Sequence, residues 1–287
     1  MMPSMLPTYR GGNYTTNTEN VRQLWNDVGS CPNRTVAIRR TKIEDVLRAG
    51  SLSQFGKKKL SYRSSSLASP PQGHEHAIAY PESTQNQIYG TKATFNIWNP
   101  DVEVSGEFSL SQLWVIAGSY GNSDLNTIEA GWQTNNSVAI GGALSPVSTY
   151  GGMQYEMTLL VWKDPGSGNW WLKFNDALVG YWPSELFTRL SSYATSVNWG
   201  GEIVNTSPNG VHTSTDMGSG RFPAEGFRKA SYIRNLQNVD STNTLYPVQS
   251  ISTYADHPNC YDVKSYKDTD WGVSFFFGGP GKNSLCT

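Results

Sequence analysis

From residue 74 onward the chain alternates apolar and polar positions in short runs, the period-two signature of strands that bury one face. Ala93-Thr94-Phe95-Asn96-Ile97-Trp98 is the clearest run, and Asn99-Pro100 stops it because proline has no amide to give to a ladder. Residues 108–117, 154–162, 169–174, 230–236 and 271–277 are further strand candidates, separated by turns such as Asp164-Pro165-Gly166. One stretch departs from this: in 184–196, Leu186, Phe187, Leu190 and Ala194 fall on one face at helical spacing and predict a short helix. Many short strands with one helix predict an all-β fold, an antiparallel β-sandwich over residues 74–287.

The chain before residue 74 has another texture. Thr41 and Glu44 have capping-box spacing, Ile43, Val46 and Leu47 form a stripe, and Gly50 can end it, which predicts a helix over 41–50. Residues 51–73 are rich in Ser, Lys and Pro and close on Ser69-Pro70-Pro71, a linker composition open to a processing enzyme. Charge divides along the same line: residues 1–63 carry a balance of +7 and residues 64–287 one of −8, for −1 overall. The basic residues cluster in Arg39-Arg40-Thr41-Lys42 and Lys57-Lys58-Lys59, with no recognised DNA- or RNA-binding motif around them. The reading adopted is a basic N-terminal segment lying on the acidic remainder of its own chain, with no nucleic-acid partner. The expected division is a segment over 1–63, a linker over 64–73 and a main domain over 74–287.

Composition adds the habitat. Charged residues are only 16% of the chain, while Gly (28), Tyr (15) and Trp (10) are abundant, as in a turn-rich secreted β protein. No apolar run is long enough for a membrane span, and residues 1–10 have no signal-peptide h-region, so secretion requires sequence upstream of this chain. The three cysteines lack metal spacing; Cys260 and Cys286 can close one loop, and Cys31 is left over. N-x-S/T sequons at Asn13, Asn33, Asn135 and Asn205 are glycosylation candidates and lean the same way.

No G-x-S-x-G, H-E-x-x-H, P-loop or Rossmann fingerprint is present. His74-Glu75-His76 places two imidazoles on one side of a strand, but with only His212 and His257 elsewhere it reads as a polar strand start. No metal and no cofactor are expected. Carboxylates remain. Glu129 in Ile128-Glu129-Ala130-Gly131-Trp132 and Glu202 in Trp199-Gly200-Gly201-Glu202-Ile203 each lie among small residues and a Trp. Small neighbours let a substrate backbone approach, and two acids can divide the work of activating water and holding a proton. The expectation is that they share one water, with carboxyls about 4–7 Å apart. Two other functions fit the same residues: a carbohydrate-binding sandwich using Trp162, Trp170, Trp171 and Trp182 as platforms, and a glycosidase using the same acid pair.

The wording of several segments is more specific. His74-Glu75-His76-Ala77, Glu107-Phe108-Ser109-Leu110-Ser111-Gln112-Leu113-Trp114, Ile128-Glu129-Ala130-Gly131-Trp132 and Trp199-Gly200-Gly201-Glu202 closely resemble the neprosin family of plant proteins. So do Val161-Trp162-Lys163-Asp164-Pro165, Gly180-Tyr181-Trp182-Pro183 and His212-Thr213-Ser214-Thr215-Asp216-Met217-Gly218-Ser219-Gly220. The resemblance implies a β-sandwich glutamic peptidase, secreted as a zymogen, activated in acid and cutting peptides after proline. Residues 1–63 then correspond to the end of an activation segment that inhibits its own domain, and the catalytic glutamates fall on Glu129 and Glu202. Tyr181, Trp182 and Trp199 are candidate walls for a proline ring by their chemistry. One departure stands out: the family carries a further segment with a Cys pair after its Glu-Ala-Gly-Trp motif, whereas here Gln133 runs directly into Thr134-Asn135-Asn136. A cleft wall beside Glu129 is therefore expected to be missing, which counts against the competence of this form.

Overall fold

The computed structural model describes residues 2–9, 43, 73–82, 87–104, 106–119, 121–134, 144–207 and 211–287, with backbone pairing at 19–20 and 22–23. Two sheets pack as a sandwich. The smaller has five antiparallel strands in the order β15 (Ile251–Ala255), β4 (His74–Pro81), β12 (Ser196–Val204), β6 (Ser109–Ala117), β7 (Asn126–Thr134). The larger runs β1 (Thr8–Tyr9), β14 (Thr244–Pro247), β13 (Ser231–Val239), β5 (Gly90–Asn96), β9 (Tyr155–Lys163), β10 (Trp170–Phe174), β11 (Ala177–Trp182). Strand β17 (Gly272–Gly278) joins it through β13 and carries β16 (Asp262–Asp268), while β2 (Glu19–Asn20) pairs with β9. A separate pair joins β3 (Arg22–Gln23) to β8 (Leu144–Ser145).

Alternation along the strands fills the space between the sheets. From the smaller sheet, Ala77, Ala79, Leu113, Val115, Ile128, Val197 and Trp199 point inwards; from the larger come Phe95, Met157, Leu159, Val161, Ile233, Phe275 and Phe277. Fully burying each large side chain contributes about 1.5–3 kcal/mol, so this layer fixes which face of each strand is left for chemistry. Within the larger sheet a buried Arg234 grips Glu156 with two bonds of 2.7 and 2.6 Å, and the Tyr232 hydroxyl donates to the same carboxylate at 2.7 Å. Both charges are paired and hydrogen-bonded, the condition under which burying them is tolerable.

The strand expectations correspond to β5, β6, β9, β10, β13 and β17 with small shifts at the ends. The helix expected over 184–196 does not form. After one 3-10 turn at Ser184–Leu186, the chain runs as turns to a bridge between Ala194 and Ile88. The amides of Arg189 and Leu190 donate to the Asn126 side chain at 2.6 and 3.2 Å, and Trp170 Nε1 donates to the Leu190 carbonyl at 2.7 Å. These groups are taken by tertiary partners, and an α-helical ladder would need them for itself. Of the helix expected over 41–50 only Ile43 is described, helical and exposed; the rest lies outside the described residues. Among the described residues no helix is long and apolar enough to cross a membrane.

The N-terminal residues extend the larger sheet. Thr8 and Tyr9 pair in parallel with Thr244 and Leu245, and Ser4 N, Ser4 Oγ and Met5 N all donate to Asp164 Oδ1, at 2.7, 2.6 and 3.1 Å. Burial works to raise the Asp164 carboxyl, but hydrogen bonds from Ser167, Ser4 and Met5 outweigh it and hold the group below the usual carboxylate range. The basic runs 39–42 and 57–59, and Cys31, lie outside the described residues.

Cys260 and Cys286 form a disulfide with Cα atoms 5.3 Å apart, closing the chain end over the hairpin of β16 and β17. Constraining a loop with a sequence separation of 26 stabilises by about 3–4 kcal/mol in the chain-entropy model. Cys286→Ser is therefore expected to lower the urea-unfolding free energy by that amount. Peptide mapping without reductant should recover Cys260 linked to Cys286, and both thiols found free would contradict the pairing.

Candidate functional site

The outer face of the smaller sheet, turned away from the core, carries both candidate glutamates. Its register fixes which residues are neighbours. Glu202 on β12 sits opposite His76 on β4 and Leu110 on β6, while Glu129 on β7 sits opposite Trp114 on β6. Period-two alternation then puts His74, His76, Glu202, Gln112, Trp114 and Glu129 on the same face.

Glu202 is buried, and two imidazoles address its Oε1: His74 Nδ1 at 2.5 Å and His76 Nε2 at 3.9 Å. His76 is held in turn by Asp256, which takes its backbone amide at 2.7 Å and its Nδ1 at 3.0 Å, and which also accepts the Tyr254 hydroxyl at 2.8 Å. Burial works to raise the Asp256 carboxyl, but the hydrogen bonds from His76 and Tyr254 outweigh it and keep the group below its ordinary range. A line Asp256–His76–Glu202 results, in which one carboxylate orients the ring that faces the other. The pair of histidines, read from sequence as a polar strand start, belongs to this site. The signal was their i, i+2 spacing; what they face was set by pairing.

Glu129 is half-buried. Its Oε2 accepts Gln112 Nε2 at 2.9 Å and its Oε1 accepts the Thr127 hydroxyl at 3.2 Å. Gln112 stands diagonally between the two glutamates, and its cross-strand partners on both sides are glycines, Gly131 and Gly200. Neither position has room for more. A Cβ on Gly131 would lie 2.3 Å from the Gln112 Cβ, and one on Gly200 2.2 Å from the Ala77 carbonyl. The row Gly131–Gln112–Gly200 thus leaves a floor without flanking side chains, on which an extended backbone can lie between the acids. Two diagonal steps of about 7–8 Å separate Glu129 from Glu202, wider than acids on adjacent strands sharing one water. Gln112 was not singled out from sequence; its place between the glycines depends on register.

The candidate substrate walls are scattered. Trp199 lies an odd number of positions from Glu202, faces the core with 0% exposure and donates its indole N–H to Thr91 Oγ1 at 3.2 Å. It has no surface for a proline ring, which corrects that expectation. Tyr181 and Trp182 sit on β11, the last strand of the larger sheet, and strand pairing does not bring them beside the glutamates. Trp162, Trp170 and Trp171 are 0–2% exposed, so the expectation of stacking platforms for sugars fails on them: they are core. Asn205 is half-buried with Nδ2 donating to Glu75 Oε1 at 3.3 Å, while Asn13, Asn33 and Asn135 lie outside the described residues.

Comparison with known families gives two matches. Residues 133–280 match the neprosin family model, and residues 1–80 match the neprosin activation peptide. Glu202 falls inside the first span and Glu129 between the two. The activation-peptide match runs through the expected linker into β4, which is folded here as an inner strand of the smaller sheet.

The strip 212–220 frames one side of the sandwich through Asp216. Its amide donates to the Asp101 carbonyl at 2.8 Å, and burial, with the nearby Asp101 charge, pushes its carboxyl up to about 6 against the hydrogen bond from the Asp101 amide and the weaker pull of Arg221. Between the unfolded value near 3.8 and about 6, the native chain holds a proton that the unfolded chain has released. The stability that Asp216 contributes is therefore lost as pH rises through that window, by on the order of 1–2 kcal/mol after discounting partial exposure. Urea midpoints measured from pH 3.5 to 7 (about the range spanning both values) should fall relative to those of Asp216→Asn, and parallel curves for the two proteins would contradict the assignment.

Proposed function

The chain belongs to the neprosin family, and from that premise we propose that it is a secreted, zymogen-type glutamic peptidase that cleaves peptides after proline in acid. The observation that carries this reading is the buried Glu202 carboxylate, addressed by His74 and His76, on the same open sheet face as Glu129. His74 offers a ring donor to the Glu202 carboxylate, and a carboxylate so met is held in place as an acceptor. Glu202 takes a proton from water as the water oxygen attacks the scissile carbonyl. Glu129, steadied by neutral donors, delivers a proton to the carbonyl oxygen to give a gem-diol. As the C–N bond breaks, Glu202 passes the water's proton to the leaving amine and the gem-diol hydroxyl returns a proton to Glu129. The two diagonal steps between the acids are more than one peptide group spans, so both side chains extend over the Gln112 floor to meet at the same scissile peptide. Tyr181 and Trp182 are kept as proline-ring contacts only for a substrate long enough to reach β11.

The remaining parts of the reading follow from the ends of the molecule. A disulfide suits an oxidising compartment, in line with the sequons. The N-terminal segment acts as an intramolecular inhibitor, its positive balance matched to the negative balance of the rest, and protonating carboxylates in acid weakens that attraction. The shortened join after Gln133 removes part of the wall next to Glu129, so this form has lower activity than one carrying the longer family segment. No observation favours sugar hydrolysis over peptide hydrolysis.

The test is hydrolysis of proline-containing peptides near pH 4 by this chain and by a version with the longer segment inserted after Gln133. Glu129→Gln and Glu202→Gln should each lower kcat by about a thousandfold or more with little change in KM, and His74→Ala by about ten- to a hundredfold. Undiminished cleavage by Glu202→Gln in the longer version would refute the assignment.

A further inference from the structure

Strand β4 alternates, so Glu75 points to the opposite side from His74 and His76. There it meets two other histidines. Glu75 is 4% exposed, and its Oε2 lies 2.9 Å from His212 Nε2 and 2.8 Å from His257 Nδ1. The Oε1 atom accepts Asn205 Nδ2 at 3.3 Å, which fixes the carboxylate plane. His212 Nδ1 lies 2.8 Å from the Thr213 carbonyl. A carbonyl only accepts, so Nδ1 carries the hydrogen and Nε2 presents its lone pair to Glu75 whenever the ring is neutral. A lone pair and a carboxylate oxygen at that distance repel unless a proton or a metal cation joins them. The same arrangement, with one ring nitrogen donating to a carbonyl and the other free, is how metal-binding histidines are oriented.

We propose that Glu75, His212 and His257 bind a zinc-class divalent cation. The three ligand atoms lie within 4.8 Å of one another. Bonds of about 2.0–2.2 Å place tetrahedral donors about 3.3 Å apart, so the two Glu75–imidazole distances open by about half an ångström and the two ring nitrogens, within 4.8 Å of each other, settle to the same spacing. Two imidazoles and one carboxylate suit zinc rather than calcium or magnesium, which take oxygen ligands. The ligands also come from well-anchored places. Glu75 is on an inner strand, and His257 begins the turn to Cys260, its carbonyl accepting the Cys260 and Tyr261 amides at 2.8 Å each, next to the disulfide. A surface cavity of about 710 Å³, lined by these residues with Asn205, Thr206 and Thr287, leaves the fourth position open to water or a small anionic ligand. This cavity includes neither Glu129 nor Glu202. The cation ties β4, the 212–220 strip and the disulfide turn together from the side opposite the catalytic face.

The experiment titrates chelator-stripped full-length Cys31→Ser protein with Zn²⁺ near pH 8, where unpaired imidazoles are neutral, following heat and thermal midpoint. One equivalent should bind with Kd of about 1 µM or tighter and raise the midpoint. Cobalt in place of zinc should give visible bands of a tetrahedral ion. His257→Ala, at an exposed ring that the fold tolerates losing, and His212→Ala should each weaken binding at least about tenfold. A His74→Ala/His76→Ala variant should bind as before. Absence of saturable binding, binding undiminished in both His257→Ala and His212→Ala, or loss only in the His74/His76 variant would each overturn the proposal.

Discussion

Burying the Glu202 carboxylate is the constraint around which this molecule is arranged. An isolated buried carboxylate is costly enough that it must be met by hydrogen bonds and opposite charge or give up its charge. Here the matching groups are His74 and His76, and they reach Glu202 because β4 lies directly beside β12 with Glu202 opposite His76. Asp256, at the end of β15, holds His76 from behind. The order β15–β4–β12 is thus also the order in which charge is balanced across the site. A slip of one residue in any of these strands would turn the imidazoles to the other face and leave the carboxylate exposed to an apolar core.

The same alternation gives β4 two separate sets of chemistry. Its outward residues serve Glu202; its inward Glu75 draws in His212 and His257 from distant parts of the chain. Below these, Ala77 and Ala79 are small enough to let Trp199 and the larger sheet close over them. One strand therefore borders the face that carries Glu202, the core and the disulfide-bound terminus.

The N-terminal residues dock by a different principle. They add backbone to the edge of the larger sheet and place their amides on Asp164, so recognition there rests on main-chain hydrogen bonds rather than on side-chain fit. Such an addition covers an otherwise open sheet edge, a protective arrangement for a β protein. It also leaves the outer face of the smaller sheet to be approached by other parts of the chain or by a substrate.

Alternation, glycine positions and cysteine count were local, and they determined the sandwich class, most strands, the Cys260–Cys286 partnership and the two glutamates as the acids worth following. The parity of β12 was legible too: Trp199 and Glu202, three positions apart, had to face opposite ways in a strand. What only the tertiary structure decided was register and partner. The helical spacing of Leu186, Phe187, Leu190 and Ala194 yielded to Asn126 and Trp170, which took the polar groups a helix would have used. His74 and Gln112 became site residues through contacts 128 and 17 positions away in sequence, and His76 with them, as did Glu75 through His212, 137 positions away. The physical reason is that periodicity is a property of neighbouring residues along the chain. Which strands lie side by side, and in which register, follows from how the whole core packs.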